Sequence, residues 1–258
     1  MARTIDVHQH FLPDFFWRET NEGANPVGGI TPPPWTESSA LAFMDDAGID
    51  VAMLSISTPG VHVGDDMRAR ALARRCNEFA AQLVQSRPDR FGSFAALPLP
   101  DVDGALEELR YALDVLKLDG VLLFSNVQGI YLGDPRLEPV FTELDRRGAT
   151  VFVHPNPSPD PVAHRLGLPD SLIDFTADTT RERSGTIPYL AGRFGIVDEM
   201  RVIPGADARR TAAETFHGLY WDTALAFGDP VLATSEPEAV MGANALTLFP
   251  RLADGSAF

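Results

Sequence analysis

Cysteine is almost absent from this chain: Cys76 stands alone among 258 residues. A disulfide within one chain is thereby excluded, and a reducing, cytoplasmic setting is the simplest expectation. Cys76 falls inside a helical pattern with no histidine-bearing motif beside it, so it reads as a small buried residue rather than a nucleophile. Long apolar runs are also lacking. Nothing approaches the roughly 18 apolar residues of a membrane-spanning helix, so no membrane partner is expected. Only three residues precede the first strand-like run, too few for a signal peptide. Basic residues are scarce, 21 against 36 acidic ones, for a net charge of −15. With no basic patch, a nucleic-acid partner is disfavoured. Finally, no Gly-x-Gly-x-x-Gly follows the first apolar run, which argues against a dinucleotide site.

What the chain does contain is an alternation of apolar runs and amphipathic stretches. Strands are expected at 51–57, 91–98, 120–126 and 150–155. Between them, helices are expected from Ser38 or Ser39 to Ala47, over 67–85, from Asp101 to Leu116, and over 135–147 with Gly148 as the stop. The period of about 30–40 residues implies parallel strands joined by right-handed crossovers. The strands are continuous apolar runs, so both their faces are buried, as in a barrel or a doubly wound sheet. A length of 258 residues suits a single barrel domain. The second half is less regular: a proline-rich stretch from Asn156, a strand at 219–224 and a final helix at 236–249. Six strands are clear where a closed barrel needs eight.

The first strand, Thr4-Ile5-Asp6-Val7-His8-Gln9-His10-Phe11, ends in two histidines. Strand side chains alternate faces, so His8 and His10 point the same way, and two imidazoles there can hold a metal ion. The competing reading is of two polar residues leaving a strand for solvent. His154 closes the fifth strand at the same end, where barrels build their active sites. Residues 13–35 read as an irregular active-site insertion, with Gly23, Pro26, Gly28, Gly29 and Pro32-Pro33-Pro34. Its aromatic residues Phe15, Phe16, Trp17 and Trp35 either line a pocket for a flat ligand or pack the loop onto the body.

The ordered series Ile5-Asp6-Val7-His8-Gln9-His10-Phe11-Leu12-Pro13, Ser57-Thr58-Pro59-Gly60, Pro88-Asp89-Arg90-Phe91-Gly92, Val153-His154-Pro155 and Tyr220-Trp221-Asp222-Thr223-Ala224 resembles a known family. It is similar to the amidohydrolase-related proteins of the aminocarboxymuconate-semialdehyde decarboxylase type, metal-dependent (β/α)8 TIM barrels of α/β class. The resemblance implies one divalent metal, usually zinc, on His8, His10 and His154. It implies a non-oxidative decarboxylase of a small aromatic or muconate-type carboxylic acid, with a hydrolase of a small cyclic substrate as the alternative. It also implies, by analogy, a homodimer.

Two parts of the family pattern are missing: a His-Gly-Gly or His-Ser-Gly motif ending strand six, and a Gly-Ser-Asp motif ending strand eight. The gaps fall between Arg181 and Ser184-Gly185, and between Thr234 and Glu236, where the strand count also falls short. The barrel is thus expected to be incomplete. Removing two central strands exposes unpaired edges, so a polypeptide that contains both segments is the simpler reading. A metal-binding barrel without turnover is the other. With the motifs missing, Asp222 becomes the candidate for proton transfer, and Phe11, Trp35, His62 and Arg181 become candidates for substrate contact.

Overall fold

The computed structural model describes residues 3–20, 34–157 and 244–253. Five parallel strands form its centre: β1 (Ile5–His10), β2 (Val51–Ser55), β3 (Phe91–Ala96), β4 (Gly120–Phe124) and, after a small hairpin of β5 (Asn126–Val127) and β6 (Ile130–Tyr131), β7 (Val151–His154). Their spatial order is β1-β2-β3-β4-β7. Among the described residues this order follows the chain without reversal. A doubly wound sheet reverses at a switch point and a barrel does not, so the winding is of barrel type. The described strands make a curled part-barrel, in agreement with the α/β class expected.

Helices cover the outer face. The segment α1 (Asp14–Thr20) opens within the stretch expected to be irregular. That expectation is corrected here: the run Phe-Phe-Trp buries Phe16 completely, and apolar burial holds a short helix that its proline and glycine surroundings obscured. Helix α2 (Glu37–Ala47) is capped not by Ser38 or Ser39 but by Thr36, whose hydroxyl accepts from the Ser39 N–H while the Ser39 hydroxyl accepts from the Thr36 N–H. This reciprocal box satisfies two otherwise orphaned donors. Gly48 ends the helix at φ +67°, a left-handed conformation that favours glycine.

Helix α3 (Asp66–Ser86) lays Leu72, Cys76, Ala80 and Val84 on the sheet. Helix α4 (Val102–Arg110) continues as a π-turn (Tyr111–Val115), and α5 (Glu138–Arg147) follows a 3-10 turn. Asn77 ties two of these layers together. Its amide donates to the Ala96 carbonyl at 2.9 Å and to the Glu108 carboxylate at 2.8 Å, and its oxygen accepts from the Ala96 N–H at 2.7 Å. Glu108, only 3% exposed, also pairs with Arg74 at 2.8 Å. The end of β3 is therefore fixed by a fully partnered buried network.

The barrel interior is aromatic. Phe94 and Phe152 stack with centroids 5.3 Å apart, and Phe249 meets Phe94 edge-on at 5.8 Å. Phe249 follows α6 (Asn244–Leu248), the described part of the expected final helix. Arg251 then pairs with the half-buried Asp119, at 2.6 and 2.5 Å, at the N-terminal end of β4. Arg3 donates to the Leu252 carbonyl beside it. The strand expected at 219–224, the sites of the two missing motifs, Arg181 and Asp222 lie outside the described residues, as do residues 21–33 of the expected insertion.

Candidate metal centre

Strands β1 and β7 bring three imidazoles to one point. The Nε2 atom of His10 stands 3.2 Å from that of His8 and 3.2 Å from that of His154. The ring centroids form a near-equilateral triangle with edges of 4.9, 5.0 and 5.0 Å. Nitrogens bound at 2.0–2.1 Å to one tetrahedral ion lie about 3.3 Å apart. The two measured separations therefore fit a shared ion, as does the grouping of all three ligand atoms within 4.8 Å.

The electrostatics agree. Burial and the neighbouring His8 push the pKa of His10 down to about 3. Its ring is thus neutral at ordinary pH, the form that ligates a metal. The Nδ1 atom of His10 lies 3.1 Å from the Ser55 hydroxyl and 3.3 Å from the Ser55 carbonyl. A carbonyl only accepts, so a proton on Nδ1 satisfies it and leaves the Nε2 lone pair facing the other two rings. His154 is turned likewise: its Nδ1 lies 2.6 Å from the Pro155 carbonyl. The N–H of His8 donates to the Asp6 carboxylate at 2.9 Å.

The walls are apolar. Phe152 meets the His8 ring edge-on at 5.1 Å, and Phe124 meets His154 at 5.5 Å. Gly60, at φ +81°, comes so near Phe124 that an added Cβ would lie 2.9 Å from that ring. The loop after β2 thus closes against the residue that backs His154.

The remaining expected site residues are placed as follows. Phe11 is 1% exposed, stacks on Phe79 at 6.0 Å and meets Trp35 at 6.3 Å. Both rings pack against Phe79 of α3. His62 lies on the loop after β2, with Nε2 2.8 Å from Asp66 and Nδ1 accepting from the Gly64 N–H at 3.3 Å. Arg181 and Asp222 fall outside the described residues. Sequence reasoning missed Ser55 and Asp6. For Ser55 the available signal was a polar residue ending an apolar strand beside the histidine strand.

Comparison with known proteins places the chain among proteins of one fold. The sequence model of the amidohydrolase family matches residues 5–204. The 6-methylsalicylic acid decarboxylase of Aspergillus aculeatus is 35% identical over 263 positions, which take in 89% of this chain and 78% of that protein. Those 263 positions exceed the share of the 258 residues that they take in, so the relative carries internal segments without counterparts here. A crystal structure described as an amidohydrolase II superposes with a TM-score of 0.79 at 25% identity, over 96% of this chain and 99% of that one. A dihydroxybenzoic acid decarboxylase from Polaromonas, solved with bound manganese and 2-nitroresorcinol, shares the fold with a TM-score of 0.65 at 19% identity, over the full length of both chains. Divalent metal, in that case manganese, is thus present in a decarboxylase of this fold. The chain belongs to the amidohydrolase family.

Proposed function

We propose that this chain is a metal-dependent, non-oxidative decarboxylase of a small aromatic acid bearing a hydroxyl beside its carboxylate. The observation that carries the reading is the convergence of the His8, His10 and His154 Nε2 atoms. The named activities of its relatives, on 6-methylsalicylic and dihydroxybenzoic acids, support the substrate class.

In this reading His8, His10 and His154 hold one ion. A divalent metal supplies a positive charge that binds and polarises substrate oxygens. The chain's own residues do the rest. Ser55 and the Pro155 carbonyl keep the rings turned inward, while Phe152 and Phe124 exclude water from behind them. Loss of CO2 requires a proton at the ring carbon that carried the carboxylate, and a positioned acid must deliver it. Asp222 is the residue proposed for that step, and Arg181 the one proposed to pair with the substrate carboxylate. Zinc is the proposed ion, since an all-imidazole set suits it and it binds such sites more tightly than manganese. A homodimer and a single domain over residues 1–258 belong to the same proposal.

A second reading, a metal-binding barrel without turnover, is favoured by the two family motifs missing from the sequence. One experiment separates them: release of CO2 from 6-methylsalicylate and 2,6-dihydroxybenzoate by the purified protein loaded with zinc or manganese. Turnover that disappears with chelator supports the decarboxylase. Bound metal with no turnover on any hydroxybenzoate supports the second reading.

A further inference from the structure

We propose that Asp6 is a positioning residue of the metal centre, taking the backbone N–H of His8 where β1 bulges and so setting the direction of the His8 ring. This rests on the reading of His8, His10 and His154 as metal ligands.

The evidence lies in the register of β1 on β2. Ile5 and Asp6 pair with Val51 and Ala52, and Gln9 and His10 pair with Leu54 and Ser55. Val7 and His8 therefore stand opposite Met53 alone, which is one residue too many for a regular ladder. A bulge of this kind takes its extra residue out of the ladder and re-aims a side chain, and bulges gather beside active sites. Here the re-aimed residue is a member of the histidine triangle. Asp6, 2% exposed, accepts the His8 N–H at 2.9 Å. A carboxylate reaching the N–H two residues on is the local closure that aspartate makes in turns. Inside a strand it stabilises the irregular conformation at the bulge.

The two β1 ligands thus have different supports. His10 is held through its ring by Ser55, and His8 through its backbone by Asp6. A change at Asp6 should therefore loosen His8 and leave His10 in place. In this contact Asp6 serves as an acceptor oxygen for a neutral amide, so the contact itself calls for the oxygen rather than the charge.

The test is zinc affinity of the full-length apo protein, measured by competition with a chelating dye, for the wild type, Asp6→Ala, Asp6→Asn and His8→Ala, with circular dichroism to monitor folding. Asp6→Ala should weaken zinc binding about 10–100-fold, the usual effect of losing a group that orients a ligand. Asp6→Asn keeps an amide oxygen in the same place and should bind zinc as the wild type does. Cobalt(II) absorption should likewise match the wild type in Asp6→Asn and be altered in Asp6→Ala. Wild-type affinity in a folded Asp6→Ala protein overturns the proposal. So does an Asp6→Asn protein as weak as His8→Ala, which would assign the role to charge; this arm decides alone if Asp6→Ala does not fold. A wild type that binds no zinc, or a His8→Ala protein that binds it normally, removes the metal centre itself, a distinguishable failure.

Discussion

At the scale of single residues, the centre depends on nitrogen atoms being neutral and aimed. His10 has its pKa lowered to about 3 by burial and by His8, so protonation should not displace an ion from it until the pH is well below the ordinary histidine range. Ser55 should matter less than its proximity suggests, because the Ser55 carbonyl also faces Nδ1 and survives substitution. Ser55→Ala is thus expected to weaken metal binding by no more than about tenfold, the lower end for orienting groups, as read by chelator competition. Cys76 gives a prediction of opposite sign. Burial pushes its thiol up to about 12, whereas a cysteine in an unfolded chain ionises near about 8.5. The folded state therefore holds the proton longer. The stability this contributes is fully present below about pH 8.5 and is lost as pH rises from there towards 12. A disulfide reagent should accordingly label Cys76 only on unfolding, with labelling and loss of circular dichroism following the same denaturant curve.

At the scale of elements, two devices hold β2 and β3, the strands that follow β1 in the sheet. Thr36 and Ser39 cap α2, which leads into β2; Thr36→Ala should cost about 0.5–2 kcal/mol in a denaturant melt. Asn77 bonds both backbone groups of Ala96 and the buried Glu108. Asn77→Ala leaves several buried groups without partners, at about 1–3 kcal/mol each, and should destabilise the chain more than Thr36→Ala.

The elements were largely legible in the sequence for a simple reason. Parallel strands in a covered sheet are apolar runs; β2, β3 and β4 are such runs buried throughout, and β7 is one that is half-buried. What escaped had weaker signals. Helix α1 is only seven residues long and lies among prolines and glycines. The Gln128-Gly129 hairpin, with φ of +53° and +77°, is shorter than any hydrophobic period. The bulge in β1 is a matter of register, and register is written in the pairing of two strands rather than in either one. The triangle itself was legible because His10 and His154 each end a strand and His8 lies two residues before His10 on the same face. Its supports, Asp6 and Ser55, looked like ordinary strand residues.

At the scale of the molecule, five parallel strands in chain order carry the whole histidine triangle. The interior beneath it is filled by Phe94, Phe152 and Phe249. Phe249 reaches that interior from the far end of the sequence, held by Arg251 on Asp119. The chain's last described elements thus pack against the interior of the part-barrel. Phe249→Ala should cost about 3–5 kcal/mol, detectable as a lower melting temperature, and should loosen metal retention through Phe152 and His8. The missing strand-six and strand-eight motifs also belong to this scale. An intact mass near 28 kDa corresponds to the 258-residue chain; a larger mass restores the segments that the family pattern contains.

The metal-to-protein ratio of the purified protein tests the central claim most directly, measured by elemental mass spectrometry for the wild type and for His10→Ala. His10 touches both other rings at 3.2 Å, so its loss should break the triangle. About one divalent ion per chain in the wild type, falling well below one in His10→Ala, is the expected result. A wild type without metal, or an unchanged ratio in His10→Ala, would contradict the assignment of these three histidines as a metal centre.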